Sequence, residues 1–578
     1  MILLLVILVP LLLSAFSLWR VNTSWVSALL FAGATIPALL LGFGWVSPAT
    51  VSFGDLLLVL ELGLDPQRQV LLALSAVLWC TGGLFAAGYL SGQQRIAEFR
   101  FFFLLSMAGN LGLIVAQDAA SFYTLFALMT FAAYGLVIHS RSDKAMRAGR
   151  IYLIMAVMGE LLLLFAIHAA VSISGSINLS AMAQAVWLSE QRTWVYALAI
   201  AGFGVKVGMV PLYFWLPLAH PVAPTPASAI LSGSMLKAGL LGWMHFSPIP
   251  YGGAPEWLLP LAFLGLAAAL GGVVIGLFQT DPKTNLAYSS ISQMGLLTVF
   301  FALCHAFDAP LEWMLPGLVL YAWNHGIAKG VLFLGVGMLL TSGKHLRPWV
   351  LLGLSVAALS IAGAPLTGGA LAKAALKDAG AFAPAGLMQS LPSLLFLSSL
   401  LTTLLLGRFV ILCARKSFTQ TAQAGFAWQF AAWLLLLVVM ATGTASWFAL
   451  RLPEHSLVFD VSKWIAAASP ILVGVLILAV VAILFRRKQS TSSEPLIPPG
   501  DAVVWLELST ITVRQLWRVK VLPILSQRML DPEKTLYRLL GIEKNARLAD
   551  SGERQLGHWN SVGIAFLIVL LALVFSLS

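Results

Sequence analysis

Titratable side chains stand in the middle of runs that are otherwise apolar enough to cross a membrane. Lys206 lies inside the run 202–220, and Lys237 and Lys373 lie inside two later apolar runs. A charge at bilayer depth costs about 2.5–3.5 kcal/mol on insertion scales. A chain that keeps three such lysines either moves something past them or holds each one with a buried partner.

Three further groups could take part in the same chemistry. His325 and Lys329 are four residues apart and share one face of a helix, and Glu160 lies deep in another apolar segment. A buried amine releases its proton more readily than one in water, and a histidine exchanges a proton near neutral pH. A carboxylate beside a lysine stabilises the protonated amine. Bringing the carboxylate closer would therefore load the proton, and moving it away would release the proton. Taken alone, Glu160 is equally well explained as a packing carboxylate bonded to a neighbour.

The helices that carry two of these lysines should be interrupted. Proline removes a backbone donor and breaks a helix, and the freed carbonyls admit water. One interruption should lie near Lys206 and another near Lys373, about five helices later, which is the pattern of inverted-repeat transporters. The predicted break positions are Pro211, Pro217, Pro224 and Pro365.

The composition predicts an all-α polytopic membrane protein. Of 578 residues, 60% are hydrophobic and 10% are charged, and apolar runs of membrane-spanning length recur along the chain. We expect about 16 transmembrane helices, two inverted five-helix repeats, two broken helices and a C-terminal lateral amphipathic helix. The predicted segments are N-terminal helices (1–100), two half-channel repeats (101–248 and 258–415), additional helices (427–486), a cytoplasmic linker with the lateral helix (487–557) and a terminal anchor (558–578).

Basic residues fall on alternate loops, which accounts for the formal net charge of +11 without nucleic acid. The positive-inside rule then places these loops in the cytoplasm and both termini outside, in a multi-pass protein of a bacterial inner membrane. The lateral segment alternates apolar and basic residues. It could lie on lipid headgroups or brace neighbouring subunits.

The chain shows no sequence signature of a redox centre. Cys80, Cys304 and Cys413 form no CxxC pair, and no Gly-rich nucleotide loop follows a strand. We therefore expect no cofactor, no metal site and no catalytic redox residue in this chain.

Four stretches, 202–242, 280–295, 324–334 and 363–373, carry a family resemblance. Together they resemble the antiporter-like proton-channel subunits of respiratory complex I (NADH-quinone oxidoreductase), multi-subunit sodium/proton antiporters and membrane-bound hydrogenases, nearest the hydrogenase and formate hydrogenlyase branch. The resemblance covers roughly residues 70–415. It implies that Lys206 is the central proton-binding lysine of the first half-channel, that Lys237 and His325 relay between the halves, and that Lys373 is the exit lysine of the second half.

The chain departs from the family pattern at three positions. Ala127 stands where the family glutamate partners the first lysine, Tyr321 stands where many members have a histidine, and Leu218 replaces a common acidic residue. Either Glu160 on the next helix replaces the missing carboxylate, or the first half-channel is degenerate and Lys206 is neutral or held by another subunit.

The resemblance implies a non-redox, proton-translocating subunit of a redox-driven complex, with other membrane subunits, protons and the lipid bilayer as partners. One rival is a cation/proton antiporter that also moves sodium or potassium, which would need hard oxygen ligands. Another is a structural scaffold with a partly degenerate channel.

Overall fold

The computed structural model describes residues 1–18, 23–53, 60–246, 256–306, 311–415, 425–450, 461–484 and 497–499. Almost all of these residues are helical. The helices, in chain order, are α1 Ile2–Phe16, α2 Ser24–Gly42, α3 Pro66–Tyr89, α4 Ile96–Val115, α5 Ala119–Val137, α6 Asp143–Ser174, α7 Leu179–Leu188, α8 Arg192–Val207, α9 Trp215–Val222, α10 Thr225–Ile230, α11 Leu236–Phe246, α12 Leu258–Leu277, α13 Pro282–Leu303, α14 Leu311–Thr341, α15 Arg347–Ala362, α16 Gly368–Ala379, α17 Ala385–Arg415, α18 Phe426–Leu450 and α19 Val461–Leu484.

The predicted fold class, an all-α polytopic membrane protein, is confirmed. Within the described part of the chain, 11 helices are long and apolar enough to cross a membrane. The candidate spans of α13 and α14 are almost entirely surrounded by protein, whereas those of α18 and α19 are mostly exposed. The predicted total of about 16 helices and the inverted repeats stay predictions. The lateral helix and the terminal anchor lie outside the described residues.

Two of the helical passes are interrupted next to a buried lysine. The first gap follows α8, where Gly208 adopts φ 77°, and it contains Pro211. The second follows α15, where Gly363 adopts φ 91°, and it contains Pro365. Positive φ favours glycine, which explains why each helix ends at these residues.

The other two predicted break prolines lie differently. Pro224 is the residue before α10 and separates it from α9. Pro217, in contrast, does not break a helix. It is the third residue of α9, where the backbone N–H would have no intrahelical acceptor, so a proline costs no hydrogen bond.

Three elements were not expected from the sequence. Residues 231–235, between α10 and α11, form a π-helical turn. The chain also contains the short helix α7 and a small antiparallel hairpin that pairs Val51–Phe53 with Leu60–Leu62. The two strands were not predicted because three residues are too few to show the alternation of apolar and polar side chains that is typical of a strand.

Candidate proton pathway

All six predicted site residues are buried, and they form three clusters. Each of them exposes at most 8% of its surface. The first cluster joins α6 to α8, the second joins the π-helical turn and α11 to α13 and α14, and the third joins α16 to the end of α15 and to α17. The members are Glu160 and Lys206, then Lys237, His325 and Lys329, then Lys373.

In the first cluster, Glu160 and Lys206 line one small cavity. Its volume is about 20 Å³, which is room for one water molecule. Lys206 Nζ lies 3.4 Å from the Tyr152 hydroxyl, a weak bond, while that hydroxyl donates to Thr130 O at 2.9 Å. Among the described residues, neither carboxylate oxygen of Glu160 has a hydrogen-bond partner. The carboxylate and the amine therefore face each other across a site that fits a bridging water.

Two glycines bring these side chains together. Gly159 on α6 and Gly202 on α8 meet where the helices cross, so close that a Cβ at Gly202 would lie 3.0 Å from Gly159 O. Small residues allow such backbone approach inside membranes. Each glycine is within one turn of a cluster member, and the crossing therefore sets the separation of the two charges.

In the central cluster, Lys237 is held beside His325. Lys237 Nζ lies 2.8 Å from His325 Nδ1 and donates to Ser232 O at 2.9 Å. Ser232 belongs to the π-helical turn, five residues before the lysine. Lys329, one turn along α14 from His325, donates to Leu286 O on α13 at 2.8 Å. Among the hydrogen bonds and ion pairs of the described residues, neither lysine contacts a carboxylate.

In the third cluster, Lys373 is held by the second interruption. Its Nζ donates to Ala362 O at 2.9 Å and to Ser399 Oγ at 2.8 Å. The end of α15 supplies the carbonyl, and α17 supplies the hydroxyl. A cavity of about 340 Å³, lined in part by Pro365, Lys377 and Ser399, opens beside the amine. The lysine therefore borders a space large enough for many water molecules.

Sequence reasoning missed His220, which is fully buried in α9. Both ring nitrogens lack a hydrogen-bond partner in the described structure, and the ring stacks on Phe333 at 4.8 Å. The next residue, Pro221, lines a concavity of about 840 Å³ together with Arg95 and Lys283. His220 interacts electrostatically with Lys283 of this concavity and with Lys329 of the central cluster, and so lies between the two. Its unusual position between Ala219 and Pro221, within a proline-rich helix, is the one sequence signal that could have revealed it.

The concavity beside Pro221, called the vestibule below, is lined by the loops that follow α3, α5, α9 and α12. Three of these loops carry basic residues, which the positive-inside rule assigns to one side of the membrane. His139 lies here, just after α5, and burial lowers its pKa below 6.5. The vestibule is therefore formed by loops that are far apart in sequence, and its charged lining residues are Arg95, Asp281 and Lys283.

At the opposite end of α5, Asp118 caps the helix. One carboxylate oxygen accepts from Ser121 N at 2.7 Å, and the other accepts from Glu61 N of the hairpin at 2.9 Å. Asn178 Nδ2 in turn donates to Glu61 Oε2 at 2.9 Å. Burial raises the pKa of Asp118 above 3.8, and the nearby Glu61 charge adds to this shift.

The described residues contain no group of three or more His, Cys, Asp or Glu side chains that could hold a metal ion. The buried clusters consist of amines, an imidazole, hydroxyls and one carboxylate. Such a set can pass protons along hydrogen bonds but supplies few of the hard oxygen ligands that a metal cation prefers.

Comparison with known proteins identifies a family for the central part of the chain. Residues 116–402, which include all three clusters, match the family described as NADH:quinone oxidoreductase/Mrp antiporter, TM. These residues belong to the antiporter-like membrane family.

Two curated relatives illustrate the family. Hydrogenase-4 component B of Escherichia coli (strain K12) is 31% identical over 293 residues, which are 49% of this chain and 44% of that protein. The putative antiporter subunit mnhA2 of Staphylococcus aureus (strain JH9) is 28% identical over 345 residues, or 55% and 43% of the two chains. The chain thus spans about half the length of the curated relatives it matches.

Two solved structures share the fold. A chain of the Mrp complex from Dietzia sp. DQ12-45-1b superimposes with a TM-score of 0.71 at 22% identity, covering 96% of this chain and 63% of that one. A chain of the membrane-bound sulfane sulfur reductase (MBS), an archaeal respiratory membrane complex, gives 0.67 at 20% identity, covering 99% and 100%. The fold of the described residues is therefore shared by chains of two membrane complexes.

Proposed function

We propose that this chain is a proton-translocating subunit of a redox-driven, multi-subunit membrane complex. The observation that carries the proposal is the cavity shared by Glu160 and Lys206. It supports a working first half-channel although Ala127 occupies the position of the usual glutamate. Glu160 replaces that carboxylate from the next helix, so that the charge pair is kept while the backbone position changes.

The pair works as a loading site. In a low-dielectric cavity a nearby carboxylate stabilises the ammonium form of a lysine, and separation of the two removes that stabilisation. A rearrangement that moves α6 relative to α8 therefore loads or releases the proton of Lys206. One water molecule in the cavity is enough to connect the two groups.

The proton then passes through the central cluster to Lys373. Lys237 and His325 are already in hydrogen-bond contact, and Lys329 adds a third protonatable group on the same helix face as the histidine. The vestibule beside His220 supplies protons from the basic side, which the positive-inside rule assigns to the cytoplasm of a bacterial cell. The large cavity beside Lys373 provides the exit. The complex contributes other membrane subunits and the redox chemistry.

The putative antiporter subunit among the relatives raises sodium/proton exchange as a second candidate. The first cluster argues for protons, since its one carboxylate is paired with an amine rather than grouped with further oxygen ligands. We therefore expect proton uptake to be unchanged when sodium is replaced by choline.

The test is proton uptake by inverted membrane vesicles that contain the whole complex, followed with a pH-sensitive dye during turnover. Lys206→Ala and Glu160→Gln should each reduce uptake at least tenfold, while the exposed pair member Glu98→Gln serves as a control and retains it. Loss in Lys206→Ala alone would keep the channel but remove Glu160 from it. Full uptake in both variants, with assembly intact, would show a scaffold rather than a first half-channel. Uptake that requires sodium would favour the antiporter.

A further inference from the structure

Asn110 of α4 is a buried polar side chain that lies outside the three clusters. It exposes 1% of its surface, and its side-chain oxygen accepts from two donors. The indole of Trp79 on α3 donates to Asn110 Oδ1 at 2.7 Å, and the hydroxyl of Ser234 donates to the same oxygen. The amide nitrogen lies 3.2 Å from the thioether of Met129 on α5, which is only a weak acceptor. Because both donors meet one oxygen, the orientation of the amide is fixed.

Ser234 belongs to the π-helical turn, and both serine hydroxyls of that turn bond to other helices. Ser234 Oγ also lies 2.9 Å from Ser75 Oγ on α3, and Ser232 Oγ lies 2.7 Å from Ser290 Oγ on α13. A serine inside a helix can instead bond to a carbonyl of the preceding turn, but neither of these two serines does so in the described structure. The turn is therefore tied to α3 and α4 through one serine and to α13 through the other.

Between the two serines, Gly233 packs against the helix that carries His325. A Cβ at Gly233 would lie 3.0 Å from Gly326 O, and a Cβ at Gly326 would lie 2.7 Å from Gly233 O. Small residues allow two helices in a membrane to approach this closely. Because Gly326 directly follows His325 in α14, the position of the turn against α14 also sets its position relative to the imidazole.

The turn in its present position holds Lys237. The lysine amine donates to Ser232 O inside the turn and lies 2.8 Å from His325 Nδ1. A π-helical turn is rare and occurs mostly as a single turn within an α-helix, frequently at a functional site. Its hydrogen bonds to neighbouring helices therefore decide where the Ser232 carbonyl and the lysine that follows it are placed.

We propose that Asn110 is a positioning residue for proton transfer between Lys237 and His325. It does not contact a transferred proton. Its oxygen fixes Ser234, Ser234 fixes the π-helical turn, and the turn holds Lys237 beside the imidazole. This inference rests on the proposed function, because it concerns the central cluster of the same pathway.

The experiment measures the initial rate of proton uptake at pH 6 and pH 8, in vesicles that contain the whole complex. Asn110→Leu removes the acceptor at similar side-chain size, and Ser234→Ala removes the donor. Each should slow uptake at least tenfold and change the ratio of the two rates at least threefold, because Lys237, His325 and Lys329 are titratable groups whose contacts depend on the turn. Ser234→Ala, the smaller change, decides the question if Asn110→Leu does not assemble. Poorer assembly alone would lower both rates by the same factor.

Two variants of α3 serve as controls. Thr81→Val removes a buried hydroxyl that bonds to carbonyls of its own helix, and it should leave the uptake rates and their ratio at native values. Trp79→Phe removes the other donor to Asn110 Oδ1 but keeps the bond from Ser234, so it should slow uptake less than Asn110→Leu does. An equal loss in Trp79→Phe, or an unchanged ratio in Asn110→Leu and Ser234→Ala, would show that Asn110 only stabilises the packing of α3 and α4, and would overturn the proposal.

Lys237→Ala separates this inference from the proposed function. If Lys237→Ala abolishes uptake while Asn110→Leu and Ser234→Ala keep the native rates, the positioning role alone is wrong. Native uptake in Lys237→Ala would contradict the proposed function itself.

Discussion

The crossing of α6 and α8 gives the sharpest prediction, through Gly202→Ala. The added Cβ would lie 2.7 Å from Leu163 and 3.0 Å from Gly159 O. Because carbon atoms in contact lie about 3.5–4.0 Å apart, Leu163 must be displaced by roughly 1 Å, by rotation of its side chain or by movement of α6, and Gly159 O must move by a few tenths of an ångström. Overpacking of this kind costs about 1–3 kcal/mol of stability. The displacement separates Glu160 from Lys206, and a misplacement of about 1 Å can cost roughly 10²-fold in a reaction that depends on geometry.

The assay is the initial rate of proton uptake by vesicles that contain the complex, together with its thermal denaturation. We expect uptake to fall about 10–100-fold while the complex still assembles. Gly271→Ala is the matched control, since it lies inside α12 with nothing within 4 Å of the added Cβ. A helical alanine there should be neutral or stabilising by about 0.5–1 kcal/mol. Native uptake in Gly202→Ala would refute the idea that the close approach sets the charge pair.

Two further predictions concern Lys373 and the cap of α5. Ser399→Ala removes one of the two hydrogen bonds that hold Lys373. Because hydrogen bonds to charged groups contribute about 1.5–3 kcal/mol, proton uptake should slow about 10–100-fold. The control is Ser390→Ala, which should not change uptake because the Ser390 hydroxyl bonds to the backbone of its own helix. The raised pKa of Asp118 means that this carboxyl contributes stability that is fully present below pH 3.8 and is lost as the pH rises through the raised value. Thermal denaturation at pH 4 and pH 7 should therefore show a smaller pH effect in Asp118→Asn than in the native complex, and an unchanged difference would contradict this assignment.

Much of the helical framework could be predicted because its signals are local. The α8 and α15 interruptions follow from glycine and proline next to a buried lysine, and those residues act on the backbone where they stand. Pro217 shows the limit of that reasoning. A proline breaks a helix or begins one depending on where the first turn falls, and here the helix begins at Trp215, whose indole donates to Val205 O.

The arrangement of the clusters was harder to predict, because it depends on which helix faces meet. The sequence left open whether Glu160 partners Lys206, and the shared cavity appears only when Gly159 and Gly202 are seen to cross. His220 was missed for the same reason.

The π-helical turn before Lys237 has a consequence for how this pathway can vary in evolution. A π turn holds one more residue than an α turn, so α10 and α11 are two segments whose faces are offset by that single residue. Deleting one residue between 231 and 235 would restore an uninterrupted α-helix and rotate everything on one side by about 100°. Lys237 would then lose both Ser232 O, five residues behind it, and His325. Homologous chains should therefore accept substitutions in this turn far more readily than a change in its length.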